Sequence, residues 1–348
     1  MKYRILRSLY HRALQTAGPR FKPSPCRAGL LGVAAIVAVA FSTGADVPFA
    51  GNSSQTVTIT GSSYQSGVVA NIAPPTATAE PEPTPEATPE AAAPVEALGP
   101  QPAFVVDSSA VAIWEAGCGK MLYTKNADTR LAPASLTKMM TLLVSLDDRA
   151  HPMNILRPGI DAAELKQRTR SSVMGLRPDS QVTMQDLYMG LMLPSGNDAA
   201  IALANASGDY DGFVGRMNER AAQMGLTNTH FTNPHGLDNP ELYSTARDLL
   251  VLERVMMEHP YAKWVVGTPY YTTTYGTLGF NNGNKLLTNY RGTIGGKTGF
   301  TNAAGHTLAV SVVRDGRRLD MTVLGSAVKF EEPMRLLDWA FNETKPAC

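Results

Sequence analysis

Between residues 103 and 345 the apolar positions change period several times, and each change marks an element. SSAVAIWEAG (108–117) and GKMLYTKN (119–126) are short apolar and β-branched runs around a glycine-containing turn, which predicts two paired strands. From Ser135 to Leu146 the apolar residues Leu136, Met139, Met140, Leu142, Leu143 and Leu146 recur at helical spacing. MQDLYMGLMLPSGNDAAIALANAS (184–207) predicts two helices broken at Pro194-Ser195-Gly196, and FVGRMNERAAQMG (213–225) a further amphipathic helix. FNNGN (280–284) has the composition of a hairpin turn. After it, GTIGGKTGF, HTLAVSVVRDG and RRLDMTVLGS read as three strands, and EPMRLLDWAFNE as a closing helix. Strands at both ends around a helical middle predict an α/β sandwich with a largely antiparallel sheet.

The first hundred residues follow no such pattern. Lys2, Arg4, Arg7, Arg12, Arg20, Lys22 and Arg27 precede an uncharged apolar run, Ala28 to Ala45, and no acid occurs before Asp46. A basic flank ahead of such a run keeps the N-terminus inside and sends the downstream chain across the membrane. TGA at 43–45 and PFA at 48–50 offer cleavage sites, whereas the whole run is long enough to remain as an anchor. Residues 52–102 include a Pro-, Thr-, Ala- and Glu-rich tract with no Lys or Arg from 74 to 102, too polar to bury a core. The organisation expected is therefore a basic N-terminus with a signal or anchor segment (1–51), a disordered linker (52–102) and a folded domain (103–345). A spacer is most useful if the preceding segment stays in the membrane, which favours the anchor and an extracytoplasmic domain.

Composition mainly excludes. The formal net charge of +1 and the absence of a basic stripe with interleaved aromatics argue against nucleic acid. Cys26, Cys118 and Cys348 form no CxxC pair and the histidines no HExxH, so neither a metal nor a cofactor is expected. Cys118 reads as a small packed side chain or free thiol; a Cys118–Cys348 disulfide requires both to leave the cytoplasm.

Ser135 and Lys138 lie one turn apart where a helix begins. There, free N–H groups and the positive end of the dipole are exposed, and a lysine three residues on shares the serine's face. Serine needs a base to act as a nucleophile, and lysine can be that base only when neutral, through burial or a second cation. Alone, S-x-x-K is most often an N-cap serine beside a solvated lysine. Two further triplets change its meaning. Ser195-Gly196-Asn197 falls at the helix break, and Lys297-Thr298-Gly299, ending a strand, offers a second cation, a hydroxyl and a glycine that lets backbone approach a ligand. In this order the three match the serine–lysine signature of penicillin-binding proteins and class A β-lactamases, with Gly196 where SDN has Asp.

Over about Val105 to Phe341 the sequence resembles the low-molecular-mass penicillin-binding proteins of the peptidase S11 family, the serine D-alanyl-D-alanine carboxypeptidases. PASLTKMMT, LMLPSGNDAAIALA, FTNPHGLDNPELYSTARDL, GGKTGFTNAAGHTLAVSV and LLDWAF carry the likeness. The resemblance implies a β-lactamase/transpeptidase-like sandwich, α/β in class, with helices on both faces of the sheet plus a helical subdomain. It also implies that Ser135 attacks the carbonyl between the two terminal D-alanines of a peptidoglycan stem peptide while Lys138, kept neutral partly by Lys297, takes its proton. The N–H groups of Ser135 and Phe300 would form the oxyanion hole and Ser195 would relay the proton to the leaving amine. Asn197 would hold the substrate amide, with Lys297 and Thr298 on the terminal carboxylate beside Gly299. Penicillins would acylate Ser135. Where many relatives carry an arginine after the last strand, GSAVKFEEP offers Lys329. No second, all-β domain follows the final helix, which again favours attachment through the N-terminus. A D,D-endopeptidase uses the same residues on crosslinks. A β-lactamase needs a deacylating glutamate, and neither Glu219 nor Glu241 sits in such a motif. A wall-binding or β-lactam-sensing module would tolerate damage at Ser135, Lys138 or Lys297, and all three are intact.

Overall fold

The computed structural model describes residues 100–148, 151–274, 276 and 278–346. The N-terminal segment, nearly all of the expected linker, Cys26 and Cys348 lie outside these residues. Elements follow in the order β1 (Ala110–Glu115), β2 (Lys120–Lys125), a 3-10 turn (Ala134–Leu136), α1 (Thr137–Asp147), β3 (Ile155–Leu156), α2 (Ala162–Thr169), β4 (Val182–Thr183), α3 (Met184–Met192), α4 (Asn197–Ala206) and α5 (Tyr210–Gln223). Then come α6 (Ala246–Glu258), α7 (Pro260–Val266), β5 (Tyr270–Thr272), β6 (Gly279–Asn281), α8 (Leu286–Asn289), β7 (Thr293–Thr301), β8 (Gly305–Arg314), β9 (Arg317–Ser326) and α9 (Glu331–Glu343).

The main sheet has five antiparallel strands in the order β2-β1-β9-β8-β7. Its period-2 pattern divides the core. Val111, Ile113, Leu308, Val310, Val312, Leu319, Met321 and Val323 pack on Leu336, Leu337, Trp339 and Ala340 of α9. Ala110, Ala112 and Ala309 point to the other face, into a cluster with Leu249, Leu252 and Met256 of α6 and the buried side chains of α1, α3 and α4. Residues 137–145 of α1 are buried without interruption, as befits a helix enclosed by others. The antiparallel sandwich is thus as the sequence pattern predicts, and its helices on both faces are as the resemblance implies.

Local chemistry fixes the element ends. Thr183 and Asp186 form a reciprocal capping box at the start of α3, and the Thr245 hydroxyl accepts from the Asp248 N–H at the start of α6. The Arg317 guanidinium pairs with the buried Glu115 carboxylate at 2.6 Å and donates to the carbonyl oxygens of Ala340 and Thr344, fastening α9 to the sheet.

Three readings need correction. FNNGN is not a hairpin turn: β6 pairs backwards with β5, and the Asn284 side-chain oxygen accepts from the Leu286 N–H where the short α8 begins. The hairpin closes earlier, between Thr272 and Gly279. The stretch from 226 to 278, to which the sequence reading assigns no element, carries α6 and α7; their signals are the helical spacing of Leu249, Leu250, Leu252, Met256 and Met257, the Thr245–Asp248 cap, and Pro260 at the first position of α7. Finally, Cys118 is disulfide-bonded rather than a free thiol, because sequence spacing does not report distance in the fold.

Candidate active site

The sequence Pro133-Ala134-Ser135 forms a tight turn, not the first turn of α1. Ala134 takes a left-handed backbone (φ 49°), Ser135 sits in the 3-10 turn, and the α-helix begins at Thr137. The three-residue spacing still aims Lys138 at Ser135: Nζ lies 3.0 Å from Oγ. Nζ also donates to Asn197 Oδ1 at 2.7 Å and to the His235 carbonyl oxygen at 2.5 Å. Lys138 has no solvent exposure. Its pKa falls well below the ordinary lysine value, first through burial and second through the charge of Lys297, against a smaller opposing pull from Asp198.

The second triplet sits between α3 and α4. Ser195 is left-handed (φ 64°), and its buried Oγ makes no hydrogen bond. A non-glycine residue held in this region stores strain that the surroundings must impose. Gly196 is confined: a Cβ there would approach Gly190 O and Met174 N to 2.8 Å, which accounts for the glycine at this position. Asp198 lies two residues on and accepts from the N–H groups of Met174, Gly175 and Leu176, holding that loop against α4. The Asn197 side chain is engaged at both ends, Oδ1 by Lys138 and Nδ2 by the Ser171 hydroxyl (2.8 Å), which in turn meets Thr169 Oγ1 at 2.7 Å.

The third triplet runs along the edge strand β7. Gly299 packs directly on the serine turn: a Cβ would reach Ser135 N at 2.8 Å and Thr307 Oγ1 at 2.4 Å. Only glycine allows the strand backbone and the serine amide to be this close. Lys297, paired with Ala309 and therefore on the same side of the sheet, is 1% exposed and donates to Thr298 O at 2.6 Å. Burial, and then Lys329, lower its pKa to about 7.

These residues border one cleft of about 700 Å3. Ser135, Ser195, Asn197, Thr298, Gly299 and Phe300 line it, whereas Lys138 and Lys297 stand behind its wall. Sequence reasoning missed other lining residues. Ser171 carries no motif, and His235 acts through a backbone oxygen, which no side-chain pattern reveals. The His235 imidazole itself is held neutral, its pKa pushed to about 3 by burial and then by Lys138. Two cations, Arg170 and Lys329, also line the cleft, as do Phe300 and His306, whose rings lie 4.7 Å apart. The only carboxylate among the lining residues is Asp238, which accepts from Thr301 Oγ1 at 2.6 Å; Glu219 and Glu241 are not among them. Among the described residues no group of three or more His, Cys, Asp or Glu is placed to hold a metal.

The profile of the D-alanyl-D-alanine carboxypeptidase family, peptidase S11, matches residues 97–328. The chain belongs to this family. Its relatives include D-alanyl-D-alanine carboxypeptidase DacC of Escherichia coli, 38% identical over 248 residues that make up 68% of this chain and 62% of that one. The chain therefore spans less than two thirds of that relative's length. Among solved structures, the Streptomyces K15 DD-transpeptidase superposes with a TM-score of 0.64 at 32% identity, covering 68% of this chain and 98% of that one. A D-alanyl-D-alanine carboxypeptidase from Mycobacterium tuberculosis gives 0.65 at 33% identity, covering 73% and 97%. The S11 fold is thus shared across the domain that holds the cleft.

Proposed function

We propose that the chain is a serine D,D-carboxypeptidase that removes the terminal D-alanine from peptidoglycan stem pentapeptides. One observation carries this reading: an enclosed lysine amine 3.0 Å from a serine hydroxyl that opens onto the cleft. A neutral amine has two N–H donors and one lone pair. Lys138 Nζ spends its donors on Asn197 Oδ1 and the His235 carbonyl, leaving the lone pair for the Ser135 proton. Ser135 Oγ attacks the carbonyl carbon between the two D-alanines as its proton passes to Nζ. The tetrahedral oxyanion is met by the N–H groups of Ser135 and Phe300, on the two segments that Gly299 brings into contact. The Ser195 hydroxyl, which lines the cleft and has no partner among the described residues, relays the proton held by Lys138 Nζ to the departing amine, taking one as it gives one, and the C–N bond breaks to leave the acyl-enzyme. Water then attacks the acyl-enzyme and releases Ser135.

The terminal carboxylate is read by the Thr298 hydroxyl and by Lys329 at the mouth, with Lys297 supplying positive potential from behind. Positive charge at that end favours a free carboxylate over the interior bond of a crosslink, and the lack of a lining glutamate disfavours β-lactamase turnover. Penicillins enter as acylating inhibitors of Ser135. Export and membrane attachment through residues 1–51 are part of the same proposal, supported by the basic flank and the apolar run. No helix among the described residues is long and apolar enough to cross a membrane.

The test incubates the full-length protein with a D-Ala-D-Ala-terminated pentapeptide and, separately, with crosslinked muropeptide. Release of free D-alanine that disappears in Ser135→Ala supports the proposal. Crosslink cleavage without D-alanine release would move the chain to the endopeptidases. Penicillin acylation with neither activity would leave a binding or sensing module.

A further inference from the structure

Two consecutive tyrosines in β5 have opposite fates. Tyr271 is half-buried, donating to Asp186 Oδ1 at 2.8 Å and accepting from Gln185 Nε2 at 3.1 Å. Tyr270 is 57% exposed. Its ring lies across the outer face of the β5–β6 hairpin, above Gly279: a Cβ there would stand 2.6 Å from Tyr270 Oη and 3.4 Å from Cζ. Thr272 Oγ1 donates to Tyr270 Oη at 3.2 Å, fixing the ring's far end. Any side chain at 279 would push the ring off the sheet, so the glycine makes the flat aromatic surface possible.

This face continues into the catalytic cleft. Tyr270 pairs directly with Asn281, and residues opposite each other in an antiparallel pair share a face. Asn281 is exposed and lines the cleft together with Ser135. Beneath it Asn282 anchors the hairpin, its Nδ2 donating to the carbonyl oxygens of Val266 and Thr268. The face comprises an aromatic ring, a threonine hydroxyl, a glycine and an amide, with no charged group. The two cations that line the cleft, Arg170 and Lys329, come from other elements, the end of α2 and the loop between β9 and α9.

We propose that this outer face of the β5–β6 hairpin is a saccharide subsite, which seats an N-acetylated amino sugar of the glycan strand carrying the stem peptide. The inference rests on the peptidoglycan reading above. An exposed ring offers a flat surface for the C–H face of a sugar, and neutral amide and hydroxyl groups match its hydroxyls and acetamido group. A stem peptide, with its carboxylates and amines, would call for charge that this face lacks.

The experiment has two arms, both on the full-length protein. In the first, saturation-transfer NMR uses a peptide-free N-acetylglucosamine–N-acetylmuramic acid tetrasaccharide. Wild type and Tyr270→Phe should transfer saturation and Tyr270→Ala should not, while all three still react with penicillin. In the second, kcat/KM on a disaccharide-pentapeptide is divided by kcat/KM on the free pentapeptide. That ratio should drop about tenfold in Tyr270→Ala and be largely restored in Tyr270→Phe. A tetrasaccharide that wild type does not bind would overturn the proposal. So would an equal loss on both peptide substrates, since the hairpin would then be reading peptide. If no pentapeptide is hydrolysed, the carboxypeptidase reading fails, yet the saccharide arm still decides this one.

Discussion

Two buried polar clusters lie on the face of the sheet that α1 and α6 cover, and both contain a group driven far from its ordinary pKa. One is Lys138 with Ser135, Asn197 and the His235 carbonyl. The other is Glu253 of α6, whose pKa is raised to about 8 by burial and then by Asp320, set against Ser311, Asp320 and Arg318 on β8 and β9. A perturbed pKa alone would nominate both as functional. They differ in access and in satisfaction. Lys138 has three oxygen neighbours, one of them a hydroxyl that opens onto the cleft. Glu253 does not line that cleft, and Glu253 Oε2, Asp320 Oδ2 and Thr322 Oγ1 make no hydrogen bond. Burial shifts a pKa wherever it occurs; chemistry needs the shifted group beside a reacting atom that substrate can reach.

Replacing each cluster's central group separates them most widely. Lys138→Met should cut the second-order rate of penicillin acylation at Ser135 by about 1,000-fold or more, since it removes the base and leaves Asn197 Oδ1 and the His235 carbonyl unpaired. Glu253→Gln should leave that rate within about twofold of wild type, because nothing in its cluster touches the cleft. Stopped-flow acylation on both variants checks the contrast. A large loss in Glu253→Gln would mean that α6 transmits to the active site.

The second cluster should instead appear in stability. Ser311 Oγ lies 3.1 Å from Glu253 Oε1 and 2.6 Å from Asp320 Oδ1, but it has only one proton. If that proton goes to Asp320, Glu253 must bring its own, in line with its raised pKa. The folded state then binds a proton that the unfolded state releases above 4.5. The stabilisation is complete below about pH 4.5 and is lost as pH rises through about 8. Wild type should therefore lose up to a few kcal/mol relative to Glu253→Gln between these limits. Urea titrations of both proteins at pH 5 and pH 9 measure the difference; parallel curves would show that Glu253 is ionised in the fold.

Much of the site was legible because its side chains carry it. Ser135, Lys138, Asn197 and Lys297 stand at spacings with a chemical rationale, and the structure brings them together. What escaped was backbone and loop. The His235 oxygen, the left-handed Ala134 and Ser195, and the reach of Ser171 to Asn197 depend on how distant segments fold against one another. In the sheet, the alternation of Leu319, Met321 and Val323 with Asp320 and Thr322 marks a strand, and Leu308, Val310 and Val312 repeat at the same period although Ala309 between them is also apolar. FNNGN misled because asparagine and glycine favour several turns equally, and here tertiary pairing of β6 with β5 decided the outcome.

A subtler contrast separates the two lysines behind the cleft wall. Lys138 must be neutral to act, whereas Lys297 helps only while charged. With its pKa at about 7, Lys297 should lose its charge above neutrality, producing an alkaline limb in kcat/KM near that pH. Lys329 contributes to the lowering, so Lys329→Met should return the Lys297 pKa toward the ordinary lysine value and move the limb to higher pH. Carboxylate affinity should fall severalfold at the same time, which affects the height of the profile and not its position. A limb that stays in place in Lys329→Met would assign it to another group.

The smallest effect should come from Ser171, which touches neither the nucleophile nor its base. Its hydroxyl accepts from Asn197 Nδ2, so the Asn197 amide keeps its oxygen toward Lys138. Ser171→Ala removes one partner of a nearly buried amide, a loss of about 1 kcal/mol, or about fivefold in acylation rate. Ser171→Thr keeps the hydroxyl and should recover most of that loss if the added methyl is accommodated. Asn197→Ala should cost more than Ser171→Ala, and the double variant little beyond Asn197→Ala alone, because the serine acts only through the amide. Additive losses in that cycle would mean that Ser171 meets the acylating ligand directly, as its place on the cleft wall permits.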